Sequence, residues 1–554
     1  MFHFFKPKSY FLVFPFIILN VACQQRTDKG IYDITQYGAK GNGDTCTHAI
    51  QAAINQCTKS GGGMILVPPG KYVSGTIVLY DNIHLKISSG AELMGSLDTA
   101  DYRIDGIRHG LIYAQNAKNI SITGQGVIDG RGTAFMDEAR PHIGADFDRG
   151  RTRQGDSYLP ADIVPEDGPI AYDYRPGMML VMLNCEDIIL RDVTFKDSPE
   201  WTIRFGECDN VLVDGISIYN NLMIPNSDGI HCTASRNIRI SNCDVRAGDD
   251  AIIVTGFPNS IGVHGVDEAR DPDLQMGNKS GYAENITVTN CLLQSRSAGI
   301  RVGYGEIPIR NCVFSDLVIY ESNRGIGVFS RDSADISNIH FENIIIQNRL
   351  HTGHWWGNGE PIHVSSIPQQ EGIPSGKIKN IRFNNITAES EGGIVVFSYK
   401  DSHVEDIYFD NVKLLIKKGK HAEQYGGNLD FRPVWDKKWA ILINDIPGLL
   451  SHCIKNITIE DFDLSWGEDL PDYHTHGMEF IHSRHIKVSG FQGRQAHEEQ
   501  DHAAIKLEGC TDAFISNSYA KPETSTFLFF KDHKGSRVVS NNQTGYAERI
   551  MVVR

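Results

Sequence analysis

One short phrase recurs along most of the chain: an Asn or Asp followed by apolar residues at alternating positions. It reads KNISITG around Ile120, EDIILRDVTF around Ile188, DNVLVDGISI around Val211 and RNIRISNCDV around Ile238. It returns as ENITVTNCLL at Ile286, SNIHFENIII at Ile339, KNIRFNNITA at Ile381, EDIYFDNVKL at Ile407, KNITIEDFDL at Ile457 and RHIKVSGFQG at Ile486. Period-two alternation is strand chemistry, because successive side chains of a strand point to opposite faces. A strand this short cannot bury its own apolar face, whereas similar strands stacked one above another share a continuous core. Steps of 23, 27 and 26 residues (188 to 211, 211 to 238, 381 to 407) read as single turns of such a stack. The longer steps of 48, 42 and 50 read as two turns with an insertion. The expected fold is all-β, a right-handed single-stranded parallel β-helix, its hand following the crossover rule for parallel strands. Leucine-rich repeats are excluded by the missing LxxLxL signature, and a β-sandwich would not repeat one phrase so closely.

Residues 1–23 carry the marks of an export signal: Lys6 and Lys8, then an apolar run containing Pro15, then Ala22 before Cys23. The run is short for a membrane span. A Cys at its end is the pattern of a bacterial lipoprotein with the lipid on Cys23, although Asn20 stands where that pattern has Leu. Residues 24–554 then form one β-helix domain in the periplasm or on the outer membrane or cell surface, touching the membrane only through the lipid on Cys23. Its 41% hydrophobic and 22% charged residues suit a large core. The formal charge of −15 argues against general nucleic-acid binding, while leaving room for a local basic groove. None of the 11 cysteines forms a CxxC pair, so no metal-binding cysteine motif is present. Cys185, Cys243, Cys291 and Cys312 each follow an Asn, which marks a buried repeat position rather than a disulfide framework.

Long loops interrupt the rhythm at 130–177, 256–284 and 350–376. The first is polar and holds Arg140, Arg149, Arg151 and Arg153; a solvated excursion and a groove wall both fit it. The third holds Trp355 and Trp356, suited either to stacking on sugars or to packing on the flank of the stack.

Two phrases stand out from the repeat. NSDGI places Asp228 before Gly229-Ile230, and GDDAI places Asp250 before Ala251-Ile252, 22 residues later and with Asp249 beside it. Residues one turn apart stack about 4.8 Å from each other, so Asp228 and Asp250 share a register position. Gly248 can bend the backbone so that Asp249 joins them on one face. Crowded carboxylates raise one another's pKa, and an acid beside an ionised partner is what cleavage of a glycosidic bond needs. Spacing alone leaves turn chemistry and a calcium site open as alternatives.

These phrases resemble the motifs of glycoside hydrolase family 28, the polygalacturonase family. YDITQYGAKGNGDTCTHAIQAAINQC and GGGMILVPPGKYVSGTIVL resemble its N-terminal entry, and NISITGQGVIDGRG its first coils. NSDGI resembles its NTD motif with Ser227 for Thr, and GDDAI its DD motif. The resemblance implies a pectin lyase-like β-helix that hydrolyses pectic or related acidic chains with inversion and without a cofactor or metal. It implies Asp249 as general acid, with Asp228 and Asp250 sharing the attacking water. Asn226, His231, Arg301, Arg324 and His264 are the candidates for binding a uronate-containing substrate. Two departures qualify the match. The GHG motif is absent, with VHG at His264 the nearest phrase, and Gly303 stands where an Arg-Ile-Lys motif beginning at Arg301 has its Lys. Two other functions suit the same fold: a calcium-dependent polysaccharide lyase with Arg301 as base, and a non-catalytic glycan-binding β-helix.

Overall fold

The computed structural model describes Met1 and residues 30–104, 106–143, 149–158, 163–164, 166–257, 281–498 and 502–554. Cys23 and His264 lie outside these residues. Almost every strand pairs in parallel with the strand one turn away, building a 25-stranded sheet and a 15-stranded sheet that run the length of a right-handed β-helix.

The recurring phrase is the rung of the larger sheet. Ile120 pairs with Ile188, which pairs with Val211, then Ile238, Ile286 and Cys312. The column continues through Ile339, Ile381, Ile407, Ile457 and Ile486, all buried. This register corrects the expectation for the long steps. Ile238 pairs directly with Ile286, Ile339 with Ile381 and Ile407 with Ile457, so each long step is one turn carrying a loop, not two turns. The physical reason is that closing a long loop costs only slightly more than closing a short one. The ladder beneath it therefore keeps its register.

Asn and Asp open each rung because the chain turns there through the left-handed region, which they tolerate best. Asn237, Asn285, Asn338 and Asn380 have φ of 55°, 58°, 56° and 53°. Their side chains also form a ladder, as in Asn285 Nδ2 to Asn237 Oδ1 at 3.1 Å and Asn380 Nδ2 to Asn338 Oδ1 at 2.8 Å. Inside, Phe314, Phe341, Phe383 and Phe409 stack with ring centroids 5.0 Å apart at each step, the rung spacing read from side chains. The cysteines that follow Asn are buried in the same core, and none of the ten described is disulfide-bonded. The helix Thr47–Lys59 turns Ile50, Ala53, Ile54 and Cys57 onto the first rung and covers its apolar end. Among the described residues no helix is long and apolar enough to cross a membrane.

The first interruption proves to be a strap. Arg153 N–H donates to Asn428 Oδ1 at 2.8 Å, and its guanidinium pairs with Asp445 at 2.8 Å. Asp167 is gripped by Arg349 at 2.6 Å and Arg296 at 3.3 Å, and its carbonyl accepts from Trp355 Nε1 at 2.7 Å. Chain from before the carboxylate motifs is thereby fastened to loops more than a hundred residues later.

Candidate active site

The site is built on four consecutive strands of the 15-stranded sheet, Ile203–Gly206, Ile230–Thr233, Ile252–Gly256 and Ala298–Gly305. Ile203, Ile230, Ile252 and Ile300 form one inward column. Two residues earlier on each turn stand Trp201, Asp228, Asp250 and Ala298, so parallel register alone sets the two aspartates one above the other. Backbone bonds continue the ladder through them: Thr202 N–H donates to Asp228 O and Gly229 N–H to Asp250 O, both at 2.9 Å.

Glycine is needed at both turns. A Cβ on Gly229 would lie 2.2 Å from Ala251 O, and one on Gly248 would lie 2.4 Å from Ile224 O and 2.5 Å from Ser227 Oγ. Ser227 Oγ donates to Ile224 O at 2.9 Å and accepts from Gly248 N–H at 3.1 Å, pinning the first motif to the second. One carboxylate oxygen from each of Asp228, Asp249 and Asp250 lies within 4.8 Å of the others.

The three carboxyls differ in environment. Asp250 is buried, with Ala298 N–H donating to Oδ1 at 2.9 Å and Arg301 Nε 2.5 Å from Oδ2. Asp228 is buried too, its Oδ2 3.5 Å from His231 Nε2 and its Oδ1 without a hydrogen-bond partner. Asp249 is the most accessible of the three and accepts Asp250 N–H at 2.9 Å. Burial foremost, then the neighbouring Asp250, pushes the Asp249 carboxyl up to about 7, against the opposing pull of Arg301. Burial, then Asp249 and Asp250, holds the Asp228 carboxyl well above the usual carboxylate range. Burial by itself would lower the Arg301 pKa, but Asp250 and the other acids more than offset it and the net shift is upward.

His231 is fully buried between these groups. Its ring stacks on Trp201 with centroids 3.6 Å apart and planes 7° from parallel, and Arg301 Nη2 lies 3.4 Å from Nε2. It supports the carboxylates from beneath and does not line the cleft. Asn226 does line it, at a φ of 56° and with Oδ1 accepting from Arg175 Nη2 at 3.1 Å. Arg324 is placed differently from the sequence expectation. Its Nε pairs with Glu360 at 2.6 Å and its Nη2 donates to Asp430 O at 2.8 Å, in a fully buried network that fastens the loop carrying Trp435. It lines no part of the cleft.

The cleft encloses about 400 Å³ above the trio. Trp201, Trp356 and Trp435 line it, together with Phe257, Tyr304, Glu306, Asp332 and Gln369. The tandem tryptophans divide the two roles open to them, Trp355 buried on the flank and Trp356 facing the cleft. Trp201 was legible in principle, since WTI stands in the register of DGI and DAI. Tyr304 and Glu306 carried no such signal, because a break in register between Val254 and Gly256 opposite Ala298–Gly305 decides where they fall, and Asp332 stands past the end of the strand Arg324–Ser330.

Comparison with known proteins agrees with this geometry. Residues 173–426 match the model of glycosyl hydrolases family 28, and residues 31–130 match rhamnogalacturonase A/epimerase, pectate lyase-like. An exo-poly-alpha-D-galacturonosidase of Dickeya chrysanthemi is 29% identical over 252 residues, 40% of this chain and 41% of that one. A probable polygalacturonase of Arabidopsis thaliana is 24% identical over 305 residues, 54% of this chain and 59% of that one. The chain thus spans about half the length of these relatives. The structure of a family 28 exopolygalacturonase of Yersinia enterocolitica shares the fold at a TM-score of 0.58 and 18% identity, covering 83% of this chain and 78% of that one. The family model lies across the turns that carry all three aspartates, so residues 173–426 form a glycosyl hydrolases family 28 region.

Proposed function

We propose that this protein is an exported glycoside hydrolase that cleaves glycosidic bonds of pectic polysaccharides or oligosaccharides with inversion. One observation carries the proposal: an accessible carboxyl held up to about 7, Asp249, beside a buried carboxylate ion-paired to Arg301 at 2.5 Å. Asp249 protonates the leaving oxygen. Asp228 and Asp250 hold the water that attacks the anomeric carbon, and Asp250 takes up its proton. Asp228 and Asp250 are too deeply buried to attack a sugar directly, which leaves water as the nucleophile. The carboxylate oxygens are closer together than the ~6.5–9.5 Å usual for inverting enzymes. The anomer released first is therefore an informative measurement. The family relationship and the pectin-degrading relatives support the substrate class.

The test incubates wild type and Asp249→Asn with polygalacturonan, rhamnogalacturonan and their oligosaccharides, following reducing ends, ultraviolet absorbance and product anomer by NMR. Hydrolysis with inversion, lost in the variant, is expected. New absorbance from an unsaturated product would refute the proposal.

Export and anchoring belong to the same proposal, supported by Lys6, Lys8, the apolar run and Cys23. Wild type is expected to take up radiolabelled palmitate and fractionate with membranes, and Cys23→Ala to do neither.

A further inference from the structure

Arg175 stands at the end of the first interrupting loop, just before the strand Leu180–Leu183, and is only 4% exposed. Its carbonyl accepts from Arg108 Nη1 at 3.1 Å, and its guanidinium lies over the Tyr172 ring, 4.1 Å from the centroid. From that root the guanidinium reaches two successive turns of the stack. Nη1 donates to Pro199 O at 2.8 Å and to Pro225 O at 2.6 Å, and Nη2 donates to Asn226 Oδ1 at 3.1 Å. Glu200 Oε2, 3.9 Å from Nε, supplies the opposite charge. Pro199 belongs to the turn that leads to Trp201, and Pro225 and Asn226 to the turn that leads to Asp228. The strands themselves begin only at Ile203 and Ile230, so these turns lie outside the ladder that orders the sheet.

The bond to Asn226 also decides which way its amide faces. A guanidinium can only donate, so the amide oxygen turns to Arg175 and the two Nδ2 protons turn away from it. Asn226 lines the cleft, and Nδ2 has no hydrogen-bond partner among the described residues. Its backbone N–H draws the Asp249 carboxyl down, against the larger upward push of burial and Asp250. Arg175 itself lines no part of the cleft.

We propose that Arg175 is a positioning residue that acts through Asn226: its clamp on the Trp201 and Asp228 turns presents Asn226 Nδ2 as a hydrogen-bond donor to a sugar oxygen beside Asp249. The inference rests on the hydrolase reading for the reaction it serves and adds a residue that touches no substrate.

The test is a cycle of Arg175→Lys, Asn226→Ala and the double variant, each first checked for cooperative unfolding. Lysine keeps the charge beside Glu200 but lacks the planar fork that spans three acceptors. In the wild-type background Arg175→Lys is expected to lower kcat/KM on an oligogalacturonide by about 10–100-fold, the scale of a small misplacement. In the Asn226→Ala background the same change should lower it by less than about threefold, because the group it positions is already gone. A merely structural arginine would lower activity equally in both backgrounds, and that result would overturn the inference. Wild-type kcat/KM in either single variant would overturn it too. Arg175→Gln takes the place of the lysine variant if that one does not fold. A binding arm separates the clamp from the proposed activity, repeating the cycle by calorimetry of the oligogalacturonide on an Asp249→Asn background. If wild type hydrolyses nothing yet Arg175→Lys weakens binding only where Asn226 is present, the hydrolase reading fails and the clamp stands. Binding that Arg175→Lys leaves unchanged, or no binding at all, overturns the clamp.

Discussion

Asp249→Asn tests the electrostatics of the trio apart from catalysis. The Asp249 carboxyl is displaced from 3.8 to about 7, roughly 3 units, and each unit corresponds to about 1.36 kcal/mol. The displacement is upward, so the native protein holds a proton there that the unfolded chain has released. Stability from this group is therefore complete below about pH 4 and is lost as pH rises through about 7. Summed, the loss is at most about 4 kcal/mol. Sharing of the titration with Asp228 and Asp250 spreads it over a wider range, so about 2–4 kcal/mol is the expectation. Asparagine has no proton to lose. Thermal unfolding of wild type and variant across pH 4 to 9 should show similar Tm at the acid end. The variant should lead by ~2–4 °C at pH 8, given the unfolding entropy of a chain this size. Asp192→Asn, at an exposed turn where either residue tolerates a φ of 61°, serves as the control. In the same variant, hydrolysis should fall by about 10²–10⁴-fold, as for loss of a general acid. A Tm difference that stays flat from pH 4 to 9 would refute the reasoning, because Asp249 would then not be the group holding the proton.

Arg301→Met should leave Asp250 as an uncompensated buried charge, destabilising the protein by about 3–5 kcal/mol in denaturant titrations and abolishing activity. Arg324→Met should release the loop that carries Trp435, raising KM and shifting tryptophan emission while leaving the pH profile of kcat unchanged. At Asp167, burial raises the carboxyl, but hydrogen bonds from His351 and Arg349 outweigh it and hold the group well below the usual range. Its stabilisation is complete above about pH 4 and is lost progressively as pH falls below that, so Asp167→Asn should lower Tm at pH 7 and the gap to wild type should begin to narrow only in strong acid. Trp201→Ala should remove the ring beneath which His231 is stacked, costing about 3–5 kcal/mol as a buried aromatic truncation and reducing kcat together with stability.

The alternating phrase determined the rung. From it follow the parallel stack, the inward column through Ile188, Val211 and Ile238, and the superposition of Asp228 on Asp250, because a period-two pattern leaves only one register with every apolar residue inside. The same alternation sets Arg301 outward between inward Ile300 and Val302. Everything that depends on loops was closed to it. A loop's length does not say whether it adds a turn, so three single turns read as doubled ones. Nor does periodicity say which of Trp355 and Trp356 faces the cleft, or that Arg324 meets Glu360 and Asp430 before any ligand. Those outcomes rest on contacts between residues tens to hundreds apart in sequence, such as Arg153 with Asn428 and Asp167 with Arg349. The strand break at Gly303 is of the same kind: it depends on how close Phe329 O approaches, a distance set by the neighbouring turn. Local pattern thus determined where the carboxylates stack, while tertiary packing alone decided what surrounds them.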